Sequence, residues 1–292
     1  MKTKNGFSLL ENEKDVKEWL SKQKVTRTIN KLQVHHMDLP NYSTWEKTDK
    51  KVFSEPHFGR TQSLDSYGKS TWHYSDGHGH YIAQHFNVFP DGKITTGRNL
   101  NSTPIGIRGW NTGAICIEIY GCFDKGKDKM TSAQKKAVIY LYGELCKRFK
   151  IKPSTSTIRP HCWFTAGGTY LGKYDVNKSA KTCPGTAFWG KGCSKDGFAW
   201  FIMDVKNYVE GKKEEPKKEE TKATTKKFEI ITLDKLNIRK VADWYADPVA
   251  TVKKGQHLQV IDTVDAKNGA TKMYKLESGL YITASDKYVK KV

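Results

Sequence analysis

Residues 211–227, GKKEEPKKEETKATTKK, contain no large apolar side chain, and seven of them are basic and four acidic. Such a stretch cannot bury enough apolar surface to offset the entropy lost on ordering a chain, so it reads as a solvated linker. This limits what the whole chain can fold into. The hydrophobic residues on either side must form two separate cores, one from residues 1–210 and one from residues 228–292. At 292 residues the chain is long for one core and comfortable for two.

The two halves differ in pattern. In the first, residues 9–22 carry Leu9, Leu10, Val16, Trp19 and Leu20 at roughly helical spacing behind a Ser8/Glu11 capping box, which predicts a helix. Residues 131–149 predict another, with Thr131 as N-cap and Ala137, Val138, Leu141, Leu145 and Phe149 as its apolar stripe. A closing helix is expected over 197–209. Strands are expected at 32–36, at 81–88 and 93–96 around the turn Phe89-Pro90-Asp91-Gly92, and at 114–121. Helices alternating with strands give an α/β unit. Residues 39–80 show little periodicity, with a short helix near 63–67. Trp45, Phe53, Phe58 and Trp72 there suggest a surface facing substrate. The run from Trp72 to His80 holds three histidines among glycines and reads as loop, not as a metal site.

Three segments carry the chemistry. LQVHHMD holds His35 and His36, ICIEIYG holds Glu118, and the stretch 158–185 holds His161 and Lys181-Thr182-Cys183-Pro184-Gly185. Two histidines and one cysteine are the ligand count of a catalytic zinc site, which keeps its fourth position open for water. On a strand His35 shares a face with Gln33 and Met37, and His36 takes the other face, so both cannot enter one site. Glu118 sits in an isoleucine-rich strand, where an unpartnered carboxylate costs several kcal/mol, roughly. It is either half of a structural ion pair or a proton acceptor facing a cleft.

Taken in order, VHH at a strand end, HFNVFPDGKI, the isoleucine strand with its glutamate, MTSAQKKAVIYL, and then His and CPG resemble the type 2 N-acetylmuramoyl-L-alanine amidases. These are the peptidoglycan amidases related to bacteriophage endolysins and peptidoglycan recognition proteins. The resemblance spans roughly residues 7 to 205. It implies a central mixed β-sheet flanked by helices and a zinc ion (Zn2+) on His35, His161 and Cys183. It also implies Glu118 as the group that takes a proton from the zinc-activated water, and Lys181 as the stabiliser of the charge formed on the attacked carbonyl. The bond expected to break joins N-acetylmuramic acid to L-alanine of the stem peptide. Cys162 and Cys193 also lie near, and Cys183 is preferred because it alone precedes Pro-Gly and follows Lys181 by two residues. Some relatives place an auxiliary catalytic tyrosine seven residues before the aspartate of the FPDG turn. Gln84 stands there in this chain, which shifts weight onto Glu118. Met37 stands where most relatives carry a small hydroxyl residue.

Residues 228–292 break into short strand-like runs, FEIITL, KLNIRK, HLQVIDTV, KMYKLE, GLYITA and KYVKKV, with a turn at Asn268-Gly269. This predicts a small all-β barrel or sandwich. LNIRK, VKKGQHLQV and GLYITASDKYV resemble bacterial SH3-like cell-wall-binding domains. Trp244, Tyr245, Tyr274, Tyr281 and Tyr288 are its candidate stacking residues, at least two of them expected in the core.

The net charge of +19 (50 basic against 31 acidic residues) lies mainly on residues 1–210 and favours encounter with polyanions. Anionic polymers of a bacterial wall fit, beside peptidoglycan itself. A nucleic-acid partner is excluded by the lack of finger spacing, phosphate loop or RNA-binding motif. No run reaches the roughly 18 apolar residues of a membrane span. The start of the chain has no signal core, so synthesis in the bacterial cytoplasm and holin-dependent release to the wall are expected. Six cysteines make no disulfide framework, and Cys116, Cys122, Cys146 and Cys162 are expected as reduced core thiols. Two rival functions remain. One is a wall peptidase with Cys183 as nucleophile and His161 as base. The other is a peptidoglycan-binding protein without catalysis. The pattern says nothing of oligomeric state.

Overall fold

The computed structural model describes residues 1–212, 228–266 and 272–292. Most of the predicted linker and the Asn268-Gly269 turn lie outside the described residues. The chain divides into two compact units, Met1–Glu215 and Pro216–Val292.

The first unit is built on a seven-stranded mixed sheet: β1 (Lys2–Lys4), β2 (Phe7–Leu10), β3 (Lys31–His36), β4 (Phe86–Val88), β5 (Ile94–Thr96), β6 (Ala114–Ile119) and β7 (Ile158–Pro160), in the order β1-β2-β5-β4-β6-β3-β7. β4, β6, β3 and β7 run parallel to one another, and β1, β2 and β5 extend the sheet antiparallel. Central parallel strands are covered on both faces, which explains the near-continuous apolar run of β6. Ile115, Ile117 and Ile119 are fully buried, and each such side chain contributes roughly 1.5–3 kcal/mol by leaving water. Helix Ser132–Phe149 lies in the same core, capped by Thr131, whose side chain accepts from the Gln134 N–H. Its Tyr142 meets Phe201 of the closing helix Lys195–Val209 edge to face at 5.0 Å.

Two expectations fail at the front of this unit. Leu9 and Leu10 belong to strand β2, paired with Thr95 and Ile94, and the helix begins only at Glu13. Asn12 caps it through the Asp15 N–H, so the Ser8/Glu11 spacing is coincidental. The β2 assignment wins because the strand is covered on both faces: Phe7 and Leu9 pack with Phe58 and Ile82 on one side, and Leu10 enters the main core on the other. Residues 39–80 are far more ordered than their pattern suggests. Asn41 opens a helical stretch over residues 42–52 that contains a wide π-type turn, Trp45–Asp49, and helix Pro56–Thr71 follows with proline in its first turn. Trp45 and Phe58 are core residues, 2% exposed each. The stretch is tied to the end of β6 by a buried charge network. The Asp49 carboxylate accepts from Arg60 Nε at 2.9 Å, from Arg60 Nη2, and from the Tyr120 hydroxyl at 2.8 Å.

The second unit is one seven-stranded antiparallel sheet: β8 (Phe228–Thr232), β9 (Leu236–Arg239), β10 (Pro248–Val252), β11 (His257–Asp265), β12 (Lys272–Leu276), β13 (Tyr281–Thr283) and β14 (Val289–Lys291), in the order β10-β9-β13-β12-β11-β8-β14. β10 was not visible in the pattern, because four of its five residues are exposed and nothing imposes alternation. Its core gathers Ile230, Ile238, Val252, Val260, Tyr274, Leu276, Ile282 and Val289. Of the five aromatic candidates only Tyr274 is buried, and Tyr245 is 81% exposed.

Candidate metal centre

The site lies at the carboxyl ends of the parallel strands, where open α/β sheets place their ligands. β3 and β6 are paired in parallel so that His35 stands directly beside Glu118. β7 ends at Pro160, and the next residue is His161. The fourth side chain, Cys183, arrives on a loop that is held in three ways. Asp124 accepts from the Thr182 hydroxyl (2.9 Å) and from the Thr186 N–H (2.8 Å) and hydroxyl (3.1 Å). The Cys183 carbonyl accepts from the Cys162 N–H at 2.6 Å. Gly185, at φ +122°, lets the loop press on residue 123, since a Cβ there would stand 2.3 Å from the Phe123 carbonyl oxygen. The glycine two residues after the cysteine is therefore a packing requirement.

Ligand atoms of His35, His161 and Cys183 all lie within 4.8 Å of one another. The Cys183 Sγ to His35 Nδ1 distance is 3.5 Å. A tetrahedral zinc with ordinary Zn–S and Zn–N lengths sets sulfur and nitrogen about 3.6 Å apart, so the spacing fits that ion. Cys116 and Glu118 form a second, overlapping set with His35. The first set leaves the Glu118 carboxylate free. Cys162 and Cys193 belong to neither set. All six cysteines are buried and free.

His36 faces away, as its strand position requires. Its Nδ1 accepts from the Phe123 N–H at 3.1 Å, and its own N–H donates to Cys183 Sγ at 3.4 Å. It holds the loop and the thiol without entering the site.

The electrostatics of the site favour a divalent cation. Burial first, then the neighbouring His161 and Lys181, hold His35 well below the ordinary imidazole range, and burial with Lys181 brings His161 down to about 4. Both rings are neutral and keep a lone pair for a Lewis acid. Burial pushes the Cys183 thiol well up, with Glu118 adding to it. Burial also raises Glu118 to about 8, opposed by the Lys181 charge. Glu118 Oε1 stands 3.7 Å from His35 Nδ1, and Oε2 is enclosed with no hydrogen-bond partner. Neutral imidazoles, a thiol that needs positive charge to ionise, and an orphaned carboxylate oxygen are the donor set a divalent zinc satisfies.

A cleft of about 1060 Å³ opens onto these groups, and Lys181 lines it beside them. Gln84 also lines it, 5% exposed, with its Nε2 donating to Asn87 Oδ1. Further out the cleft is bordered by Tyr67 and Trp72, 54% and 40% exposed, which meet edge to face at 5.4 Å. Of the four aromatic residues singled out in residues 39–80, Trp72 lines the cleft, and Tyr67 joins it. The histidine-rich run is loop, with His80 packed on Phe7 at 4.3 Å. Two supporting residues escaped the sequence reading. Asp124 gave no local signal. Gln33 did, since it shares a strand face with His35.

A family described as N-acetylmuramoyl-L-alanine amidase matches residues 25–186. Among solved structures, the chain is similar to the N-acetylmuramoyl-L-alanine amidase LysC from Clostridium intestinale URNW, at 20% identity over 61% of this chain and 90% of that one, with a TM-score of 0.39. A second is the endolysin amidase LysCS from the same organism, at 22% identity over 55% and 76%, TM-score 0.32. A third is Drosophila PGRP-LB, at 14% identity over 57% and 85%, TM-score 0.38. No curated protein matches.

Proposed function

The chain belongs to the N-acetylmuramoyl-L-alanine amidase family, and on that premise we propose that it is an active, zinc-dependent peptidoglycan hydrolase with His35, His161 and Cys183 as metal ligands. The carrying observation is the convergence of these three donors beside a carboxylate oxygen with no partner. When bound, zinc supplies Lewis acidity, polarising the scissile carbonyl and lowering the pKa of water toward about 7.

The chain's own groups do the rest. Glu118 Oε1, 3.7 Å from His35 Nδ1, accepts the proton of the attacking water and delivers it to the departing L-alanine amine. Lys181 places positive charge where the carbonyl oxygen becomes an oxyanion. The exposed Trp72 ring, braced edge to face by Tyr67, offers an apolar face for the sugar side of the bond. The rival use of Cys183 as a nucleophile is disfavoured by the thiol itself, which is 5% exposed and pushed toward the neutral form by burial.

We further read the second unit as an SH3-like wall-binding module, supported by its small antiparallel sheet and the exposed Tyr245. The basic surplus of residues 1–210 favours approach to anionic wall polymers. The chain then acts at the wall as an endolysin or autolysin. The test is mass spectrometry of digested peptidoglycan. Stem peptides released with a free L-alanine amine are the expected product; cleavage only within peptides or glycan would overturn the assignment.

A further inference from the structure

A histidine binds a metal through one ring nitrogen, and the hydrogen bond made by the other decides which one. In His35, Nδ1 faces Cys183 and Glu118, and Nε2 points back along β3 to Gln33 Oε1 at 3.3 Å. The direction of that contact follows from the partners of Gln33. Its Nε2 lies 3.1 Å from the Trp110 carbonyl oxygen, which can only accept. It also lies 2.9 Å from Asn111 Oδ1, an atom that accepts from the Gly106 and Ile107 N–H groups at 3.1 and 2.9 Å. Both contacts require donation from Gln33, so its NH₂ group must point to them. The amide cannot flip without setting its oxygen against two acceptors, the Trp110 carbonyl and Asn111 Oδ1. The oxygen is left facing His35, and the imidazole must meet it with an N–H.

We propose that Gln33 is a positioning residue of this centre: its amide oxygen holds the His35 proton on Nε2 and so presents the Nδ1 lone pair to the metal. The inference rests on His35 being a ligand, as proposed above.

The surroundings are built to keep Gln33 in this pose. It is fully buried, and its backbone carbonyl accepts from the Tyr142 hydroxyl at 2.8 Å. A Cβ at residue 106 would stand 2.0 Å from Gln33 Oε1, so only glycine leaves room for that oxygen. The loop 105–111 thus acts on the metal site without touching the ion. Gly106 makes the space, and Asn111 and Trp110 orient the amide.

The test reads the proton directly. In the zinc-free full-length protein with ¹⁵N-labelled histidine, long-range ¹H–¹⁵N correlation should show His35 with its proton on Nε2. A proton on Nδ1 overturns the proposal. Gln33→Leu should yield a mixture of tautomers and weaken zinc binding by about 10- to 100-fold in competition with a chromogenic chelator. Gly106→Ala, which leaves Gln33 in place but crowds its oxygen, should move both readouts the same way. Where Gln33→Leu fails to fold, Gly106→Ala and the wild-type spectrum decide. A folded variant that keeps both tautomer and affinity refutes the role. Neither readout depends on turnover. A protein that binds zinc through His35 Nδ1 but leaves peptidoglycan uncut would sink the amidase reading and spare this one.

Discussion

Replacing Glu118 by glutamine should make the zinc-free protein more stable and the loaded enzyme nearly inactive. Glu118 keeps 21% of its side chain open to the cleft, yet burial raises its pKa from 4.5 to about 8. A carboxyl whose folded pKa lies above its unfolded value favours folding below the unfolded pKa. That contribution is lost as pH rises through the folded one, because the unfolded chain ionises first. With these two values the loss is about 3 kcal/mol between pH 5 and pH 7.5. Glutamine has the same shape and no charge to desolvate. Its advantage over wild type should therefore be small at pH 5 and grow toward about 3 kcal/mol at pH 7.5. The amide nitrogen also needs a partner in the pocket, which reduces the gain somewhat.

The assay is urea unfolding of both proteins with a chelator present, at intervals from pH 5 to pH 8. The imidazoles titrate in both proteins and drop out of the difference. Parallel stability–pH curves, or a variant less stable at pH 7.5, would refute the argument that Glu118 is a desolvated acid held in place for function. With zinc restored, the same substitution removes the proton acceptor and should cut kcat by roughly 10²- to 10⁴-fold while zinc binding persists. Full turnover would remove Glu118 from the mechanism.

Other outcomes follow from neighbouring groups. His85, fully buried, accepts the Cys116 N–H on Nδ1 and donates from Nε2 to the Ser102 carbonyl; burial, then Arg27, bring its pKa down to about 3. A depressed histidine costs stability as pH falls below its unfolded value of 6.5, by up to about 1.4 kcal/mol per pH unit until about pH 3, so His85→Gln should flatten the acid limb of the urea-stability curve. Trp72→Ala should raise KM on polymeric peptidoglycan roughly fivefold or more with kcat little changed, and leave the thermal midpoint in place; an unchanged KM would remove the aromatic rim from substrate binding. Chelation should abolish activity and lower the unfolding free energy by about 4 kcal/mol relative to protein in free zinc a thousandfold above Kd; zinc should restore both, and recovery without metal would favour a cysteine nucleophile. Ending the chain after Lys212 should leave soluble fragments cleaved at the normal rate and reduce retention on whole cell walls in a pelleting assay; equal retention would show that the second unit is not an anchor.

The parts of the fold legible in the sequence are those where one physical rule dominates. Helix Ser132–Phe149 has a cap, a stripe and a long window, and β6 has the apolar run of a strand covered on both faces. Where tertiary contacts decide, the local pattern misled. Leu9 and Leu10 read as the start of a helix, but β5 offers them a partner strand, and that pairing lies more than 80 residues away. Helix Pro56–Thr71 has no apolar face to detect; it buries His57 and Thr61 beside Phe58 and is tied down by the Arg60–Asp49 pair. The site shows the same division. His35, Glu118, His161 and Cys183 are marked by residue type together with their sequence context and the family resemblance. Asp124 does not, because a loop aspartate acquires its role only when Thr182 and Thr186 are folded against it.

This division follows from how the centre is assembled. Three of its side chains need no loop to bring them together. β3, β6 and β7 are neighbouring parallel strands, so whatever stands at their carboxyl ends must converge. The register that pairs Leu32 with Ile115 and Ile158 already sets His35 beside Glu118 and ends β7 at Pro160, immediately before His161. The isoleucines that stabilise the sheet thus also set the spacing of His35 and Glu118, and a register slip would turn His35 into the opposite face. Cys183 lacks that guarantee. It is placed by hydrogen bonds that Asp124 accepts from Thr182 and Thr186, by the Cys162 N–H and by a glycine that tolerates the Phe123 carbonyl. Ligand geometry should accordingly be most sensitive to mutation around residues 123–124 and 182–186, where polar contacts worth about 1 kcal/mol each replace a packed sheet.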